Sequence, residues 1–160
     1  ATPVSNPTIA NMTIIGNSYK SAEKDSEGVL LRAGTNAQLH NFVIAGPTGM
    51  GECLEIESDE SRALAAAGSL TMTNSVIACP TEAVKGTVDA GTTTEQWFLN
   101  QAGNSLAANQ AAVLNGIFTI DATTPKDMTA VDSFFDAVDF VGAVKAGNDW
   151  TAGWAVGLDD

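Results

Sequence analysis

Asn11-Met12-Thr13-Ile14-Ile15-Gly16 returns as Asn41-Phe42-Val43-Ile44-Ala45-Gly46, and again as Asn74-Ser75-Val76-Ile77-Ala78-Cys79. Each copy is an Asn, a short apolar run rich in β-formers, and a small residue. The starts lie 30 and then 33 residues apart. A second pattern recurs between them: Gly28-Val29-Leu30-Leu31-Arg32 and Glu52-Cys53-Leu54-Glu55-Ile56, 24 residues apart. A third stands just ahead of the first, as Ala37-Gln38-Leu39-His40 and Ser69-Leu70-Thr71-Met72. Self-similarity at this period marks stacked supersecondary units. Each unit holds several short strands and no helix, so the units read as coils of a parallel β-helix.

Turn chemistry separates the strands: Gly16-Asn17-Ser18, Gly34-Thr35-Asn36, Gly46-Pro47-Thr48-Gly49 and Pro80-Thr81. Residues 62–68 read either as a helical turn or as the approach to the next strand. The second half changes character. Thr92 and Glu95 have the spacing of a capping box, and one or two short helices are predicted between about 94 and 115. Ile117–Ile120 reads as a strand. Val131, Phe134, Phe135 and Val138 fall at helical spacing. The tail, Phe140–Val144 and Asp149–Trp154, is dense in aromatics and Gly and reads as a packed end-cap, which a solenoid needs over its apolar end. The expectation is an all-β, right-handed parallel β-helix with short helical insertions and a C-terminal cap. Its hand follows the crossover preference of parallel strands. Residues 1–91 supply the coils; residues 92–160 supply the helical insertion, last strands and cap of the same domain. Nothing comparable to the cap precedes Asn11, so either further coils lie upstream or another chain covers that edge.

The 160 residues carry 19 Asp+Glu against 7 Lys+Arg, a formal net charge of −12. That excludes nucleic acid, whose phosphates need cationic partners, and docking on anionic lipid. No apolar run approaches the roughly 20 residues of a spanning helix, so no membrane insertion is expected. Cys53 and Cys79 are 26 apart, about one coil. They read either as a disulfide between neighbouring coils or as two buried thiols. Their spacing fits no zinc site.

The stretches Asn6-Pro7-Thr8-Ile9, Glu27–Thr35, Leu39–Ile44, Asp139–Val144 and Asp149–Trp154 touch both halves of the chain. In them the chain resembles the C-terminal portion of secreted or surface-located bacterial parallel β-helix proteins, pectate-lyase-like in fold and mostly uncharacterised. The tail is the most specific part of the likeness. Relatives of that kind extend further at the N-terminus. The resemblance implies an extracellular or bacterial cell-surface location and carries over no catalytic residues.

Carboxylates flank the strands, and hard oxygen ligands of this kind are what Ca²⁺ takes. The candidate calcium ligands are Asp25, Glu27, Glu55, Glu57 and Asp59; a solvated acidic face is the plainer reading. Alternation sends Glu55 and Glu57 to one face of their strand and Leu54 and Ile56 to the other. Arg32 reads as an ion-pair partner for Glu55 on the next coil, His40 as a surface or hydrogen-bonded residue rather than a base. Trp97 is the candidate glycan contact, whereas Trp150 and Trp154 read as cap. No catalytic residue and no cofactor other than optional calcium is assigned, and the reading leans away from an enzyme. It is of a structural surface protein that self-associates through its open N-terminal edge, end to end into filaments. The alternatives are a polysaccharide-binding module, aided by calcium, and the remnant of a polysaccharide lyase.

Overall fold

Asn11, Asn41 and Asn74 stand at one corner of three successive coils, with φ of 56°, 60° and 52°. The corner turns the chain from one sheet to the next within two residues, and that turn needs the left-handed region. Asn enters this region more readily than a branched or bulky residue. The computed structural model describes residues 3–17, 27–80, 83–120 and 123–157. The first coil contributes β1 (Thr8–Ala10), β2 (Thr13–Ile15) and β3 (Val29–Leu31). The second contributes β4 (Gln38–His40), β5 (Val43–Ala45) and β6 (Leu54–Ile56). The third contributes β7 (Thr71–Thr73), β8 (Val76–Ala78) and β9 (Val84–Lys85). β9 is followed by β10 (Thr87–Asp89) and β11 (Thr92–Thr93), and β12 (Ser105–Leu106) comes later in the chain. Like strands stack in parallel to give the sheets β1-β4-β7, β2-β5-β8-β12 and β3-β6-β9. β12 thus carries the coil region past residue 91.

Inward residues form continuous rows. Ile14, Ile44 and Ile77 are in register, as are Ile9, Leu39 and Met72. These rows make the interior of the coil, joined by Leu54, Ile56 and Leu70. Cys53 and Cys79 lie in it too, bonded as a disulfide between neighbouring coils with Cα atoms 6.3 Å apart.

The β3–β6 register differs from the sequence alignment by one residue. Val29 pairs with Leu54, Leu30 with Glu55 and Leu31 with Ile56. This is the register that turns Leu54 and Ile56 inward, and a slip of one would have buried Glu55 instead. Arg32 therefore meets Glu57, at 3.6 Å, rather than Glu55.

The tail does not cap an end. It lies along the side of the solenoid, over the outer face of the β2-β5-β8 sheet. Val43 and Ala45 on β5, and Val76 and Ala78 on β8, point outward yet are buried. Val113, Leu114 and Val141 cover them in a second core. Sheets covered on both faces read as unbroken apolar runs, and Val-Ile-Ala is such a run. The covering segment includes β13 (Leu114–Asn115) and β14 (Phe118–Thr119), an antiparallel pair. It then runs back across the Asn corner. Asn74 Nδ2 donates to Thr124 O (2.9 Å), Asn41 Nδ2 to Lys126 O (2.9 Å) and Asn11 Nδ2 to Phe140 O (2.8 Å). Gly142, at φ 83°, passes so close that a Cβ there would lie 2.7 Å from Thr13 Oγ1 and 3.0 Å from Val43 Cγ2. No other residue fits this crossing.

Elements from mid-chain cover the C-terminal end of the coil. The β10–β11 hairpin and α2 (Thr94–Leu99) place Val88, Trp97 and Phe98 on the interior. The capping box of α2 is Thr93 with Gln96, one residue later than the Thr92–Glu95 spacing indicates. Residues 62–68 fall in α1 (Asp59–Ala66) and the turn after it; Ser58 caps the helix by accepting from Ser61 N–H. No helix forms over 129–138. A single 3-10 turn, Met128–Ala130, stands there instead. The Asp127 and Asp132 carboxylates accept from Thr129 and Phe134 N–H and hold the backbone in local turns that compete with a helix.

Candidate functional site

Two features of the coil can carry function: an acidic cluster on the β3-β6-β9 sheet, and the uncovered first coil.

The cluster forms where Glu55 of β6 and Lys85 of β9 meet Glu27 and Glu52, which stand just ahead of β3 and β6. Glu55 on β6 is in register with Lys85 on β9. Glu52 precedes the strand and is 3% exposed. One carboxylate oxygen each of Glu27, Glu52 and Glu55 lies within 4.8 Å of the others. Lys85 Nζ stands 2.9 Å from Glu52 Oε1 and brings a positive charge into the group. Of the five candidate calcium ligands, Glu27 and Glu55 are brought together. Glu57 is paired with Arg32, and Asp59 with Arg62 at 3.1 Å in the first turn of α1. Asp25 lies outside the described residues. Glu52, one of the carboxylates that flank the strand in the sequence, joins Glu27 and Glu55, whereas Lys85 was missing from the candidate set. Aligning β6 with β9 on their inward Leu54 and Val84 would have placed Lys85 below Glu55. Three carboxylates can offer oxygen to a hard cation, but an ammonium tied to a buried carboxylate is also the arrangement of a structural ion pair.

His40 is 4% exposed, and its Nδ1 lies 2.8 Å from Thr73 Oγ1. Burial, helped by the charge of Lys126, lowers its pKa to about 4. Of the two readings the sequence offered for His40, surface or hydrogen-bonded, the structure shows the second, in a buried ring. Trp97, the candidate glycan contact, is only 6% exposed and packs in the interior; it also lines a hollow with Val88, Asn100 and Gln101. Trp150 and Trp154, read as cap, are corrected: they are 55% and 65% exposed. The mid-chain elements already cover the coil end, so nothing is left for these indoles to pack on.

The first coil is the second feature. Ile44 and Ile77 are fully buried, but Ile14 in the same row is only partly so. Ile9 stands likewise against Leu39 and Met72, and Val29 against Leu54. The ladder bonds Gln38 N to Pro7 O, Val43 N to Met12 O and Val29 N to Cys53 O fix which backbone groups face the second coil. By the alternation of parallel pairing, the N–H and C=O groups of Thr8, Ala10, Thr13, Ile15 and Leu30 face the other way. Among the described residues no strand pairs with that side. Met12, Ile15, Val131 and Phe134 are exposed large apolar residues, and Val131 and Phe134 line a hollow with Thr8 of β1.

Three parallel sheets, each taking one strand from every coil, define a parallel β-helix. The chain belongs to the pectate-lyase like beta helix domain family, whose model matches residues 1–155. No curated protein and no solved structure matches it.

Proposed function

We propose that this chain is a non-enzymatic structural domain of a bacterial cell surface, and that it assembles with a second copy through the face formed by β1, β2 and β3. The observation that carries this is the gradient along the inward rows, where Ile14, Ile9 and Val29 lack the cover that their counterparts in the second coil have. A lone extended peptide would satisfy one strand edge. Three edges around one perimeter are matched by another coil.

The filament form of this reading needs two open ends. The hairpin and α2 sit on the far end, so we favour closed pairing of like faces, which two-fold symmetry produces. The extracellular assignment is supported by the Cys53–Cys79 disulfide, since such bonds persist in oxidising compartments.

Sedimentation velocity over a concentration series tests the reading. The native chain is expected to approach twice its monomer mass, more readily at high salt, because the −12 charge of each copy is then screened. Met12→Lys with Ile15→Lys, both at exposed sites, is expected to remain monomeric. A native chain that stays monomeric, or one that grows without limit, overturns it.

A further inference from the structure

The exposed indoles of the tail carry an inference independent of the assembly face. Trp150 and Trp154 lie with ring centroids 5.4 Å apart and planes tilted by 36°. Both N–H groups are turned into the protein. Trp150 Nε1 donates to Ala143 O at 2.7 Å, and Trp154 Nε1 donates to Trp150 O at 2.6 Å. The turn that carries them is fixed as well. Asp149 Oδ1 accepts from Thr151 N–H (2.9 Å) and from the Thr151 hydroxyl (2.6 Å), and Ala155 N–H donates to Thr151 O (3.1 Å). The polar edge of each indole is thus spent internally, and what faces water is apolar ring surface in a held geometry.

An indole kept over half exposed with its donor satisfied contributes little to the fold, because the apolar burial that makes Trp worth placing has not occurred. It is suited to a partner with a flat apolar face and polar edges, which is a pyranose ring. The charge balance selects among such partners. The pair sits on a chain of net charge −12, and the nearby Lys145 ammonium is held by Asp139 at 2.8 Å. A polyuronate would meet net repulsion, and the nearby ammonium is already held by a carboxylate.

We propose that Trp150 and Trp154 form a stacking site for a neutral polysaccharide, and that acidic chains are refused. Trp150 is tied through Ala143 to Thr13 of the first coil, so the site lies beside the assembly face, and the test must separate the two.

Affinity electrophoresis of the whole chain through gels holding a soluble neutral β-linked glucan or mannan, or polygalacturonate, does so. Retardation by a neutral polymer and none by polygalacturonate is expected. Trp150→Ala or Trp154→Ala is expected to weaken binding about tenfold each, and the double variant to abolish it. Trp154→Tyr, which keeps a ring, retains most of the binding and guards against a fold defect. The Met12→Lys/Ile15→Lys chain binds as the native one does, even if it no longer pairs. The proposal is overturned if no neutral polymer retards the chain, if polygalacturonate retards it equally, or if the double Trp variant is retarded like the native chain. It is equally overturned if the double variant loses self-association and not glycan binding, since the pair would then be a contact between copies.

Discussion

Asn41 stands over Asn11 at the same corner of the next coil, and its Nδ2 donates to Asn11 Oδ1 at 3.1 Å. Asn41 also grips the returning tail: Nδ2 donates to Lys126 O at 2.9 Å, and Oδ1 accepts from Lys126 N–H at 2.7 Å. One buried amide therefore holds two coils and the lateral layer together. Asn41→Ala removes these bonds and holds at φ 60° a residue that lacks the side-chain hydrogen bonds by which Asn tolerates that region. We predict a loss of about 3–5 kcal/mol, read by urea unfolding. Asn41→Gly should cost about 1 kcal/mol less than Asn41→Ala, because it spares the backbone strain while losing the same bonds. Equal costs would mean that the corner geometry contributes nothing.

The Cys53–Cys79 bond closes a 26-residue separation between coils. The loop-entropy relation puts its contribution at about 3.5 kcal/mol. Reduction should lower the melting temperature of the native chain, and reductant should leave Cys53→Ala/Cys79→Ala unmoved. A native melting curve indifferent to complete reduction would refute this.

Glu52 is buried and Lys85 half exposed, 2.9 Å apart. Removing the cation takes the ammonium away from a buried carboxylate, so Lys85→Met should cost about 3 kcal/mol. Adding Glu52→Gln to that variant should recover much of the loss. A double-mutant cycle with no coupling would show the pair to be incidental.

His40 gives a pH signature. Its folded pKa is lowered from 6.5 to about 4, first by burial and then by Lys126. The unfolded chain thus takes up the proton at a higher pH than the folded one. Stability from this residue is complete above about pH 6.5 and falls as pH drops towards 4. The whole of that fall is worth roughly 3 kcal/mol. Comparing His40→Gln with the native chain over this window isolates the effect from the carboxylates. The native stability should decline more steeply, and parallel curves would contradict the assignment.

The coil was legible because Ile14, Ile44 and Ile77 recur with an Asn three residues ahead of each, and only a stacked strand explains that spacing. The lateral layer was not. Val43 and Ala45 flank Ile44 with small apolar side chains, and a run apolar on both faces does not announce that its outer face also needs cover. The same gap misplaced the tail: its aromatics read as an end-cap because nothing in the sequence showed that Trp97 and Phe98 had already closed the end. In the acidic cluster, Glu27 and Glu55 were visible as carboxylates beside strands. Lys85 was not, because its place depends on the β6–β9 register, and the two-residue β9 is too short to repeat the strand pattern recognisably. Burial decided the three Trp residues, and single-residue identity carries little information about burial.

The most direct test of the open first coil as an assembly face is amide hydrogen exchange at about 5 μM and at about 200 μM, a range that brackets a micromolar dimer. The account predicts that the amides of Thr8, Ala10, Thr13, Ile15 and Leu30 gain protection at the higher concentration, with those of β12 and α2 unchanged. Protection that does not depend on concentration, or that is gained at the α2 end instead, would contradict it.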